Sequence, residues 1–121
     1  MLTKHGWLIL YHGVRKLTER PNDEHPLCYS AGVMVLASED PTVILYRSAD
    51  PVLTPLLPEE RHGIVPNVVF PTGIDRRDDI GQPDRFDVYY GMADDRIGVA
   101  RLEVPEHLAP GAPSEDMNHV P

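Results

Sequence analysis

Gly6–Val14, GWLILYHGV, is the stretch whose reading decides the fold. Trp7–Tyr11 is a short apolar run of aromatic and aliphatic residues, stopped by His12-Gly13, and it predicts a buried strand. The polar stretch Val14–Leu27 that follows contains Pro21, Asn22, Asp23 and Pro26 and predicts a loop. Beyond it, Ala31–Ala37 and Val43–Tyr46 read as two more strands about the turn Glu39-Asp40-Pro41. Pro51–Pro58 reads as extended and irregular. Val65–Phe70 is a fourth strand, with Pro66 marking an edge or a start. Asp75–Asp84 reads as a charged hairpin loop, and Phe86–Tyr90 and Ile97–Leu102 complete the strands. Only Pro105–Leu108 hints at a helical turn, and no stretch keeps a helical period, so the fold class is all-β.

The chain has 121 residues, enough for one small domain. Hydrophobic residues are 41% and charged residues 25%, an ordinary globular balance. Thirteen prolines and nine glycines favour short strands and turns over long helices. A formal charge of -8 argues against nucleic acid and against an anionic membrane, since both need a basic face. The single cysteine, Cys28, rules out an intrachain disulfide and reads as an inert buried thiol. With no secretory signal pattern and no apolar run long enough to span a bilayer, a cytoplasmic location is expected.

An internal echo points to repetition. Leu10-Tyr11-His12-Gly13 resembles Val88-Tyr89-Tyr90-Gly91, and each is followed by a strand opening Gly-Val, at Gly32-Val33 and Gly98-Val99. Repeated hairpins of this kind suggest propeller blades of roughly 40–50 residues, so the chain holds about two blades and an incomplete ring. Residues 1–108 are assigned to this partial propeller and 109–121 to a flexible Pro-rich tail.

Four ordered segments, GWLILYHGV, YSAGVMVL (Tyr29–Leu36), VPNVVFPTG (Val65–Gly73) and VYYGMADDRIGVA (Val88–Ala100), resemble the glycoside hydrolase family of the β-1,4-mannooligosaccharide phosphorylases. LYRSADPVL (Leu45–Leu53) also fits, and the resemblance covers roughly residues 6–104. It implies a five-bladed β-propeller with its chemistry at a central pocket. In the phosphorylases inorganic phosphate attacks the anomeric carbon of a β-mannoside with inversion, while an aspartic acid supplies the leaving-group proton through a sugar hydroxyl; hydrolytic members use water. The resemblance also implies that the catalytic aspartate and most phosphate-binding arginines belong to N-terminal blades, which this chain does not match. Leu2 sits where relatives carry a lysine. The expectation is therefore a C-terminal part, inactive alone, with no catalytic residue of its own.

His12, Tyr29, Asn67 and Asp94 are the candidates for substrate or phosphate binding. The resemblance places His12 at the pocket, where an imidazole can donate to an anion, against the alternative of a structural histidine. It gives Asp94 to sugar hydroxyls, against an Asx-turn, with Asp95 as the turn former. Tyr29 is a pocket candidate or a strand-edge aromatic, and Asn67, inside an apolar strand, is a structural amide bonding a neighbouring blade or a substrate contact. Trp7 reads as core, and Arg76-Arg77-Asp78-Asp79 as a solvated loop tip. The six histidines show no metal-ligand spacing, so no metal and no cofactor is expected, with inorganic phosphate the co-substrate of a phosphorylase. Expected partners are a β-mannoside or related oligosaccharide, and either a missing N-terminal half or a second copy paired through open blade edges.

Overall fold

The computed structural model describes residues 1–17, 27–108, 110 and 111. It is all-β, two antiparallel sheets with no closed ring. The first sheet is a meander of β1 (Leu2–Thr3), β2 (Gly6–Lys16), β3 (Leu27–Leu36) and β4 (Ile44–Arg47). The second is β5 (Val69–Arg77), β6 (Gln82–Met92) and β7 (Arg96–Glu103). A one-turn helix, α1 (Pro58–Arg61), lies in the connection between them.

Side chains alternate across each strand, so register decides what is buried. Leu8 faces Val35 and Leu10 faces Val33 across β2–β3, and this row turns towards the second sheet. There it meets Phe86, with Ile74 and Leu102 beside it, so the core is the seam between the sheets. Val104 and Leu108, just past β7, seal the same cluster.

Several boundaries differ from the sequence reading. The β2–β3 hairpin runs on through Lys16 and resumes at Leu27, because backbone pairing continues beyond the apolar run; residues 18–26 of the expected loop lie outside the described residues. The fourth strand begins at Val69 instead of Val65, since Asn67 has φ 59°, a left-handed conformation that no strand propagates. The expected charged loop at Asp75–Asp84 is mostly strand: only Asp78–Ile80, a 3-10 turn, and Gly81 separate β5 from β6. Arg77 is no solvated tip, because it donates to Asp87 (2.6 Å) and Asp79 (3.0 Å). Pro105–Leu108 forms no helical turn. Helix forms instead at Pro58–Arg61, where Pro58 takes the first helical position and Glu60 reaches back to the Leu57 amide (2.8 Å). The expected tail falls mostly outside the described residues, although Gly111 makes an antiparallel bridge with Ser48. Cys28 is buried, as expected.

The internal echo is real but slips by one residue. Matching letters equates Tyr11 with Tyr89, whereas the pairing places Tyr11 opposite Gly32 and Tyr90 opposite Gly98. In both hairpins the tyrosine ring lies over the cross-strand glycine: a Cβ on Gly32 would meet the Tyr11 ring at 2.6 Å, and one on Gly98 the Tyr90 ring at 2.8 Å. The repeated unit is thus a tyrosine covering a glycine, a device that fixes register in a sheet. It equates β6 with β2 and β7 with β3.

Candidate functional site

Asn67–Phe70 is the segment on which the candidate residues converge. The Asn67 carbonyl accepts from the Tyr29 amide (2.9 Å), and Val68 forms a parallel bridge with Tyr29, joining β3 to the start of the second sheet. On its other side Val68 accepts from the Ala93 amide (3.0 Å), which ties in the turn that holds Asp94. Two residues on, the ring of Phe70 packs against the imidazole of His12, with centroids 4.3 Å apart and planes at 39°. Each candidate is therefore held by the same stretch of chain, which runs across the seam between the sheets.

The individual placements refine the sequence reading. His12 continues the row of Leu8 and Leu10 on the face of β2 that looks to the second sheet; its side chain is exposed at the end of that row. Asn67 does bond the neighbouring sheet, but through its main-chain carbonyl and from a loop, not through a side-chain amide within a strand. Asp94 and Ala93 both have positive φ, 52° and 51°, and the Asp95 amide donates to Met92 (3.0 Å). The turn is thus formed by Ala93 and Asp94, with Asp95 closing it. Trp7 is not core: it lies on the face of β2 turned away from the second sheet, and its indole N–H donates to the Ser38 carbonyl (3.2 Å).

Two residues that sequence reasoning missed organise the site. Phe70 supports His12, and its only signal was an aromatic within VPNVVFPTG. Glu60 is a buried carboxylate that accepts from Tyr90 Oη (2.6 Å) and from the amides of Leu57 (2.8 Å) and Leu56 (2.9 Å). Burial pushes its carboxyl up, but these three hydrogen bonds outweigh burial and hold it below the usual carboxylate range. Burial and the adjacent Glu60 carboxylate push the Tyr90 phenol up to about 12. The pair locks α1 to β6, and the chain after α1 closes on the Asp94 turn, where the Val65 amide donates to Ala93 (3.0 Å). A proline followed by two glutamates was the available signal for this helix start.

A cavity of about 500 Å³ lies on the opposite face of the first sheet, lined by Tyr11, Arg15, Ser30, Arg47 and Ser48 among others, and none of the four candidates borders it. There Arg47 sits over the Tyr11 ring (5.4 Å) and donates to its hydroxyl (3.1 Å). A second cavity, about 430 Å³, is bordered by Arg61, His62 and Asn67. Among the described residues no three His, Cys, Asp or Glu side chains are placed to hold a metal ion.

Two stacked antiparallel sheets built on a repeated Tyr–Gly hairpin, joined at their seam by the Asn67–Phe70 segment, define a section of a β-propeller. The model of the β-1,4-mannooligosaccharide phosphorylase family matches residues 1–109, and the chain belongs to that family, glycoside hydrolase family 130. It is 40% identical over 98 residues to a β-1,2-mannobiose phosphorylase of Thermoanaerobacter sp. (strain X514), covering 81% of this chain and 28% of that relative. The β-1,2-mannobiose phosphorylase of Listeria innocua, solved with β-1,2-mannobiose, superposes with TM-score 0.65 at 33% identity, covering 84% of this chain and 25% of that one. A solved family member described among hydrolases that target β-1,2-mannosidic linkages in Candida mannan superposes with TM-score 0.64 at 28% identity, covering 93% and 30%. The chain thus spans between a quarter and a third of the length of these relatives.

Proposed function

We propose that this chain is the C-terminal part of an inverting β-mannoside phosphorylase or hydrolase and contributes one wall of its sugar and phosphate pocket. The observation that carries the reading is the His12–Phe70 contact at the end of the inter-sheet seam, which leaves an exposed imidazole held from behind by an aromatic ring. In phosphorolysis a phosphate oxygen forms a bond to the anomeric carbon as the glycosidic C–O bond breaks, and the departing oxygen takes a proton from an acid. That acid is assigned to the blades this chain does not match. His12 donates to the phosphate, and Asp94 with Asn67 and Tyr29 binds sugar hydroxyls. The names of two similar relatives favour a β-1,2-linked mannoside as substrate. The lone cysteine is consistent with a cytoplasmic enzyme.

The test is phosphate-dependent cleavage of β-1,2-mannobiose by this chain exchanged for the matching quarter of the Listeria phosphorylase. Activity is expected in the exchanged enzyme and none in the chain alone; His12→Ala with undiminished phosphate dependence would refute the assignment. A second reading, a non-catalytic sugar-binding or self-associating β module, draws on the free edge of β7, beside which no further strand lies among the described residues. A concentration-dependent dimer in sedimentation experiments would favour it.

A further inference from the structure

Among the described residues, three that are not glycine have left-handed backbone: Asn67 (φ 59°), Ala93 (φ 51°) and Asp94 (φ 52°), and two of the three are candidate sugar contacts. Dihedrals of this kind persist where the surroundings over-determine them, and they gather at functional sites. Asparagine and aspartate tolerate the conformation, but alanine does not, and a hairpin turn left-handed at both central positions is ordinarily Asn-Gly. The turn at Ala93–Asp94 therefore forms against its own sequence, and something outside the hairpin holds it.

That support is the stretch from Glu60 to Val65. The Val65 amide donates to the Ala93 carbonyl (3.0 Å) and the Ala93 amide donates to the Val68 carbonyl (3.0 Å), so both main-chain groups of the strained alanine are taken. Gly63 packs directly against the same residue. A Cβ on Gly63 would come within 2.6 Å of the Ala93 Cβ and of its carbonyl oxygen, and 3.1 Å from the Asp95 Cβ. Asn67 is held by the same stretch: its amide donates to the Arg61 carbonyl (3.3 Å), and the next amide, that of Val68, to the Glu60 carbonyl (3.1 Å). Glu60 is itself fixed by Tyr90 Oη (2.6 Å), which stands on the strand leading into the turn. Ala93 is fully buried, whereas Asp94 beside it is exposed, so the clamp grips one residue and presents the next.

We propose that Glu60 and Gly63 are positioning residues that hold the Ala93–Asp94 turn in its left-handed form. They thereby set the pose in which the Asp94 carboxylate meets a sugar hydroxyl, a role that rests on the reading of Asp94 as a sugar contact. Neither residue touches the substrate. A carboxylate that accepts from hydroxyls in a fixed direction depends on a rigid turn, since a displacement of about 1 Å weakens both binding and rate.

The test is steady-state phosphorolysis of β-1,2-mannobiose by the Listeria phosphorylase whose matching quarter is exchanged for this chain, with amide hydrogen exchange of the isolated chain followed by NMR. Gly63→Ala pushes on the turn, Ala93→Gly frees it, and Asp94→Asn tests the contact itself. Ala93→Gly sets relief of strain against loss of a buried methyl group, so its melting temperature is expected within about 2 °C of the parent. Gly63→Ala and Ala93→Gly are each expected to raise KM for mannobiose at least about fivefold, with KM for phosphate within about twofold. Both are expected to speed exchange of the Ala93 amide at least about tenfold and to leave that of Val88 unchanged. Glu60→Ala is expected to act in the same direction and Glu60→Gln to recover most of the loss, because the amide oxygen still accepts from Leu56 and Leu57 and the amide nitrogen reaches Tyr90 Oη. Where Gly63→Ala lowers the melting temperature by more than about 5 °C, Ala93→Gly decides. A raised KM for mannobiose in Asp94→Asn with parental values in Gly63→Ala and Ala93→Gly would overturn the positioning role alone. Equal rises in both KM values, or a fall in kcat without either, would overturn it as merely structural. An Asp94→Asn variant with parental kinetics, or an inactive exchanged enzyme, would overturn the reading of Asp94 and the positioning role with it.

Discussion

Replacing Glu60 tests the contact that locks α1 to β6. Its carboxylate takes three hydrogen bonds, from Tyr90 Oη and the amides of Leu56 and Leu57, with almost no exposure to water. Glu60→Ala deletes all three and leaves a buried phenol and two amides without partners. Each lost partner costs roughly 1–3 kcal/mol, and such costs do not add fully, so about 3 kcal/mol is expected for the set. Tyr90→Phe removes one charge-assisted bond and costs about 1.5 kcal/mol. Urea unfolding followed by far-ultraviolet circular dichroism measures both, and the double variant gives their coupling. The pH dependence has a definite sign. Glu60 holds its proton less tightly folded than unfolded, so its stabilisation is complete above the ordinary carboxylate range and is lost as pH falls through the lower, folded value. Glu60→Gln flattens that part of the acid limb. A cost below about 0.5 kcal/mol for Glu60→Ala, or an undiminished cost of Tyr90→Phe in the Glu60→Gln background, would refute the anchoring role.

Other consequences are equally direct. Gly98→Ala brings a methyl group within 2.8 Å of the buried Tyr90 ring, whereas Gly32→Ala meets the half-buried Tyr11 ring at 2.6 Å. About 2–3 kcal/mol is expected for the first and about 1 kcal/mol for the second in the same urea assay, because only Tyr11 has room to swing aside. Phe70→Leu in the exchanged phosphorylase loosens the support of His12 and should lower kcat/KM for phosphate roughly tenfold with the fold intact. Hydrogen bonding from Arg77 holds the Asp87 carboxyl below its ordinary value, so Arg77→Ala should raise that value, seen by NMR titration, and remove stability above it, not below.

How much of this was legible in the sequence follows from what each residue interacts with. Apolar runs announce strands by their own composition, so Trp7–Tyr11 and Ala31–Leu36 were readable. Val14–Lys16 and Gln82–Arg85 are strand because a partner strand pairs with them, which composition does not record. The repeat was visible as letters, yet its one-residue slip was not, because Tyr11 and Tyr90 are equivalent through glycines some twenty and eight residues further on. Trp7 was misplaced for a related reason: an all-apolar neighbourhood shows that a strand has two apolar faces, not which face is covered. For the candidate site, the family resemblance singled out His12, Tyr29, Asn67 and Asp94 as candidates. The Asn67–Phe70 segment that joins them became visible only when β3 and β5 were brought together. Glu60 escaped notice because a glutamate in a charged run looks solvated until Tyr90, distant in sequence, closes over it.

The stretch around β1 meets the residues just past β7. Lys4 pairs with Glu106 (2.8 Å), the His5 ring bonds the Pro105 carbonyl (2.7 Å), and Arg76 donates to the Leu2 carbonyl. The first two of these contacts join residues about a hundred positions apart, so they carry a high loop-closure cost and are expected late in folding. Removing Pro105 and Glu106 leaves every named strand in place and opens the clasp on β1.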